Sequence, residues 1–124
     1  MRFSAGSYVV VSVAGAIHAV RRSRHARFFG IQLPGTPLQH AMTIGSPLSA
    51  PPAMQVALLA AVQPTVPQPV RRRSVRWLAV MFLVGIVGEV DTRATLLHPT
   101  GDRFAAAVVL LEVVLPVSML WSAR

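Results

Sequence analysis

Two apolar stretches, 75–90 and 104–121, joined by a short polar connection that carries His98, Pro99 and Gly101, constrain this chain more than any other feature. Each stretch holds one carboxylate, Glu89 and Glu112 respectively. Long apolar runs separated by turn residues are the outline of a transmembrane helical hairpin, because a bilayer accepts only backbone that satisfies its own hydrogen bonds. Trp77 opens the first stretch and Trp121 closes the second, so a hairpin sets both indoles at the same interface, where their amphipathic rings are favoured.

Composition supports the same solvent. Of 124 residues, 53% are hydrophobic and only 13% charged, more apolar surface than a water-soluble domain of this size can bury. The net charge of +8 raises nucleic acid as a partner, but the basic residues sit at the ends of apolar runs. Arg21, Arg22, Arg24 and Arg27 follow the first run and Arg71, Arg72, Arg73 and Arg76 precede the third. Membrane spans are flanked in this way, and nucleic-acid binding is set aside. The absence of cysteine excludes disulfides, thiolate metal sites and cysteine nucleophiles.

The first run, 5–20, makes a helix about 24 Å long. A secretory signal competes with an anchor here, since Arg2 is basic and Ala14-Gly15-Ala16 offers small residues for cleavage. Arginines directly after the run, and further apolar helices downstream, favour an uncleaved anchor. Prolines at 34, 37, 47, 51, 52, 64, 67 and 69 then break the middle of the chain. The 28–50 part reads as an irregular connection. A short helix over 51–64 begins at the Pro51-Pro52 pair and reaches about 18 Å, marginal for a span. The expectation is therefore one all-α membrane domain: a bundle of about four helices, three of them clear spans (5–20, 75–90, 104–121) and the second short and proline-bounded.

Sidedness depends on whether 51–64 crosses. If it does not, nine arginines face the cytoplasm against Arg2, Arg93 and Arg103 outside; if it does, the tally is six against six. The first is better electrostatically, and the Arg clusters are expected mainly on the cytoplasmic side of a multi-pass cell-membrane protein.

Glu112 is the sharpest chemical signal. Midway along an apolar helix, its carboxyl has to be neutral, paired or turned to a wet cavity. Pro116 lacks an N–H and frees the Glu112 carbonyl at the same depth, so the two form a polar notch. Glu89 lies nearer water, and antiparallel pairing sets the two acids roughly 9 Å apart along the membrane normal, which gives no support to paired-acid chemistry. Glu89, Asp91, Arg93 and His98 outline a polar mouth. Gly85 and Gly88, with the smooth Ala105–Ala107 patch, signal close helix packing. His18, His25, His40 and His98 contain no pair at the spacing that ligates metal from one helical face, and no nucleophile elbow or phosphate-cradling loop is present. No cofactor, metal or reaction is called for by any motif.

In size and helix number the chain resembles the small four-helix membrane proteins of bacteria, the DoxX-like group among them, a likeness of architecture that assigns no residue role. The functional expectation is an accessory or binding protein in the lipid bilayer, packed against another membrane subunit or a second copy of itself. The alternative is a proton-coupled transporter or lipid-modifying enzyme that uses Glu112 as an intramembrane acid.

Overall fold

The computed structural model describes residues 1–124. The chain is helical almost throughout, with a two-stranded hairpin near the first turn: α1 (Arg2–Arg21), β1 (Arg27–Phe28), β2 (Ile31–Gln32), α2 (Pro37–Met42), α3 (Pro52–Ala61), α4 (Gln68–Gly88), α5 (Val90–Leu97) and α6 (Arg103–Ser122). The all-α reading holds, and α1, α3, α4 and α6 form a four-helix bundle.

At its centre α6 packs against both α1 and α4. Its buried residues, Ala105, Val108, Val109, Glu112, Pro116 and Met119, recur every three or four positions and make one stripe. On α1 the stripe is Ala5, Tyr8, Ser12, Gly15 and Ala19. The two run antiparallel: Ser4 meets Ser118 at 3.2 Å, the Gly15 position meets Val108, and His18 meets Asp102 at 2.7 Å. Rising numbers on one helix pair with falling numbers on the other, which sets Ser12 beside Glu112.

Apolar packing is divided between two ends. One cluster holds Ala5, Tyr8, Leu58, Val62, Val75, Ala79, Phe82, Met119 and Ala123, with Ala50 at its edge. The other holds Ala19, Leu48, Ala105, Val108 and Val109. The buried positions between the clusters are Ser12 and Gly15 on α1 and Glu112 and Pro116 on α6, so the Ser12 and Glu112 side chains form a polar layer between two apolar plugs.

Three sequence expectations change. Only α1 and α6 are long and apolar enough to cross a membrane. The third expected span begins at Gln68, takes Arg71, Arg72, Arg73 and Arg76 into its first turns and stops at Gly88. Its apolar part from Trp77 onward is about 18 Å long, well short of a ~30 Å hydrocarbon core. The polar connection after it is not all loop: Glu89 adopts an extended conformation that ends α4, and its side chain accepts from the Asp91 N–H to start α5. In the 28–50 connection, Pro37 stands in the first turn of α2, and the Thr36 hydroxyl and Gln39 side chain form a capping box. The proline there begins a helix instead of breaking one.

The arginine clusters lie at opposite ends of the bundle. Arg2 donates from Nε to the Val62 carbonyl at 3.2 Å, which groups it with Arg71–Arg73, Arg76 and Arg124 beside the first apolar plug. Arg21, Arg22, Arg24, Arg27, Arg93 and Arg103 share the other end, where Arg24 reaches Thr95 and Arg27 reaches Asp91. The chain travels the bundle between α1 and α4 in two pieces, an irregular stretch followed by α3. The one-sided count of nine arginines does not describe this fold.

Candidate functional site

The irregular piece defines the site. Gly45 to Ala50 are six consecutive buried residues outside any helix, and their backbone polar groups need partners that a helix would have supplied. Buried side chains supply them. Ser12 Oγ accepts from the Ala50 N–H at 2.8 Å, and Gln55 Nε2 donates to the Ala50 carbonyl at 2.9 Å and to Ser12 Oγ at 3.3 Å. The Thr92 hydroxyl donates to the Pro47 carbonyl. Within the segment, Ser46 and Ser49 exchange backbone hydrogen bonds, and their hydroxyls meet at 2.7 Å.

Gly15 permits this arrangement. A Cβ there would lie 1.9 Å from the Leu48 carbonyl oxygen, so only glycine lets the segment lie against α1. Gly45, at φ +93°, takes the chain into the segment through a conformation that side chains resist.

A cavity of about 220 Å³ lies beside the segment, between α1, α3, α4 and α6. Tyr8 stacks on Phe82 with ring centroids 4.4 Å apart, and both line it with Met54, Met81 and Ile86. Ser46, Ser49, Thr92, Glu89 and Glu112 give it polar wall. Both acids thus face one cavity, which the depth estimate from a simple hairpin does not suggest, because α4 ends at Glu89 and the chain turns there.

The two carboxyls differ in what holds them. Glu89, expected near water, is only 2% exposed; its Oε1 and Oε2 each accept from the Arg27 N–H at 3.0 Å. It ties the β1–β2 hairpin to the α4–α5 break, where Phe28 also bridges Glu89 and the Phe29 N–H donates to the Gly88 carbonyl at 2.8 Å. Glu112 is 3% exposed, and although Ser12 lies within reach, its Oε1 is buried without a hydrogen-bond partner. No basic side chain lines the cavity. Pro116 is buried one turn further along α6, and without its N–H the Glu112 carbonyl lacks the usual helical donor.

The remaining expected residues sit elsewhere. Gly85 borders the cavity with open space where a Cβ would be. The Gly88 position is filled from within the chain: a Cβ there would meet Phe29 Cζ at 3.2 Å, and Ala105 is fully buried in the bundle. Gly88 and Ala105 are thus consumed by the chain's own packing, whereas Gly85 is open, Ala106 half-buried and Ala107 exposed. Asp91 pairs with Arg27 at 2.6 Å, while Arg93 and His98 are exposed on α5 and its end. At the same end Asp102 caps α6 through the Ala105 N–H at 3.0 Å. The hydrogen bond from His18, followed by the Ala105 N–H, holds its carboxyl below the usual carboxylate range.

Ser12, Gly15, Gln55 and Thr92 are the site residues that sequence reasoning missed. Ser12 and Gly15 had a readable signal, since they continue the Ala5, Tyr8, Ala19 stripe of α1; Thr92 had none, because its partner is a carbonyl 45 residues away, and the Gln55 bond to the nearby Ala50 carbonyl depends on the fold that buries both. Compared with known proteins, the chain matches no family model, no curated protein and no solved structure.

Proposed function

We propose that this chain is a small multi-pass protein of the cell membrane whose bundle binds a small amphipathic ligand, with the ligand's hydrogen-bond donor or cationic head on Glu112. The observation that carries the reading is a buried carboxyl oxygen without a partner, facing a cavity whose wall is otherwise aromatic, aliphatic and hydroxylic apart from Glu89, whose carboxyl is already held by the Arg27 N–H. A buried acceptor left unpaired costs about 1–3 kcal/mol, which a donor brought by a ligand removes. Apolar cavities of ~150 Å³ accept benzene, so the present volume suits one ring or a short chain bearing a single polar group.

Membrane residence is supported by inverted packing. Small and polar side chains such as Ser4, Ala5, Ser12, Ala79 and Ala105 face inward, while Val10, Ile17, Val84, Val87, Leu110 and Val114 face out. Water penalises that arrangement and hydrocarbon does not. With six arginines at each end, charge gives no instruction about which end is cytoplasmic. Packing against another membrane subunit or a second copy is compatible with the same reading, because Gly85 has open space beyond it and Ala107 is exposed.

A matched pair of probes tests the reading. Benzylamine should raise the thermal stability of the detergent-solubilised protein more than toluene, which has its shape without the polar head, and Glu112→Gln should erase the difference. Equal shifts from both probes, or a difference that survives in the variant, would overturn it. Residence is tested separately with single cysteines, unambiguous in a chain that has none: Arg22→Cys and Arg72→Cys should react with an impermeant maleimide from opposite sides of the membrane.

A second reading, proton-coupled transport, draws on one specific observation: the crossing between α1 and α4 is broken beside the carboxyl. Interrupted crossings lining a midplane site are how transporters expose backbone to cargo. Loss of pH-gradient-driven uptake in vesicles bearing Glu112→Gln would favour it over simple binding.

A further inference from the structure

All four acidic residues of the chain, Glu89, Asp91, Asp102 and Glu112, lie in the interior or at one end, and both ion pairs, His18–Asp102 and Arg27–Asp91, belong to that end. The opposite end carries Arg2, Arg71–Arg73, Arg76 and Arg124 without a single acidic side chain. There the start of α4 and the end of α6 enclose an open groove of about 660 Å³. Arg72, Arg73, Arg76 and Arg124 line it, with Trp77 and Val80 extending it down α4. Arg124 stacks over the Trp121 ring at 3.6 Å, which fixes one cation beside an indole that is itself exposed.

We propose that this groove is a binding site for the phosphate headgroup of an anionic phospholipid. The inference rests on the membrane reading above and is independent of the Glu112 cavity. Guanidinium forks match phosphate oxygens in geometry and charge. A groove whose cations have no internal counter-ion draws an anion from outside, and basic pockets between membrane helices take anionic headgroups for this reason. The apolar continuation decides between a lipid and free phosphate. Below the arginines, Trp77 and Val80 continue the groove along α4, and Val80 also lines an apolar surface hollow with Leu83, Val84 and Val87, a path that suits acyl chains and gives inorganic phosphate nothing.

The test uses the full chain with Trp121→Phe, so that Trp77 in the groove is the sole tryptophan and is excited selectively at wavelengths that Tyr8 does not absorb. In mixed micelles, phosphatidylglycerol should produce a saturable change in Trp77 emission that phosphatidylcholine does not. Exchanging Arg72 and Arg76 for Gln should weaken the apparent affinity roughly tenfold or more, while Arg21→Gln with Arg22→Gln at the other end should leave it within about twofold, being far from the groove. Both exchanged pairs are exposed, and an unchanged elution profile establishes folding of each variant. Equal responses to the two lipids, equal loss in both pairs, or saturation by inorganic phosphate at the same concentration as phosphatidylglycerol would each overturn the proposal. A chain that alkaline carbonate washes from membranes refutes residence itself; one that stays in the membrane without a lipid preference refutes only the groove.

Discussion

Gly15→Ala offers the most direct test of how the irregular segment is held. Ordinary contact begins at 3.4 Å, and the added methyl would lie 1.9 Å from the Leu48 carbonyl oxygen, 2.9 Å from the Leu48 carbonyl carbon and 2.9 Å from Val108 Cγ1. The overlap of about 1.5 Å falls on backbone that a close-packed interior cannot displace cheaply. Overpacking of this kind costs about 1–3 kcal/mol. Retreat of the segment also removes Ser12 from the Ala50 N–H and Thr92 from the Pro47 carbonyl, and each orphaned group costs about 1–3 kcal/mol more. Against these stands a gain of ~1 kcal/mol from replacing glycine within a helix. The net expectation is a loss of at least about 2 kcal/mol. Gly6 supplies the internal control, since it lies on the same helix with nothing within 4 Å of its would-be Cβ; Gly6→Ala should be neutral or slightly stabilising. The measurement is thermal unfolding in detergent, followed by the monodisperse fraction remaining after heating. If Gly15→Ala melts with Gly6→Ala or above it, the segment does not press on α1 and the account of the cavity wall fails.

Three further outcomes follow from the site. Glu89→Ala should free the β1–β2 hairpin, raising hydrogen exchange at the Arg27 and Phe29 amides and destabilising by about 1.5–3 kcal/mol, the range for a hydrogen bond to a charged acceptor; unchanged exchange there would deny Glu89 its anchoring role. Asp102 titrates lower in the folded chain than unfolded, so its contribution is complete above about pH 4 and is lost as pH falls through the lowered folded value. Asp102→Asn, which can still cap α6, should therefore flatten the acid limb of the unfolding-temperature profile, and an identical limb would refute the His18 pairing. Dicyclohexylcarbodiimide, an apolar reagent, should modify Glu112 in membranes while a charged, water-soluble carbodiimide does not; equal modification would mean that the cavity opens to bulk water.

Helices α1, α3 and α6 were legible because their causes are local, whereas α2 and α5 were not expected and α4 starts seven residues before the expected position. Apolar runs, the proline pair at the start of α3, and Asp102 before α6 each act within a turn or two, and the expected 104–121 helix differs from α6 by one residue at either end. Glu112 was legible for a similar reason: a carboxyl amid eight apolar neighbours is anomalous whatever surrounds the helix. Its partnerless oxygen was not, since that depends on what α1, α3 and α4 bring to the same depth. Nor was the burial of Glu89, which follows from a hairpin some sixty residues away donating the Arg27 amide.

What the amino-acid order determined alone is a set of apolar rods with an acid in the last one and arginines at their ends, because propensity and hydropathy act over short stretches of chain. Only the tertiary structure decided that the second crossing is half irregular, that a glycine on α1 admits it, and that the two arginine clusters part to opposite ends. Those outcomes depend on interatomic distances between segments remote in sequence, where a methyl group or a single hydrogen bond selects one packing over another.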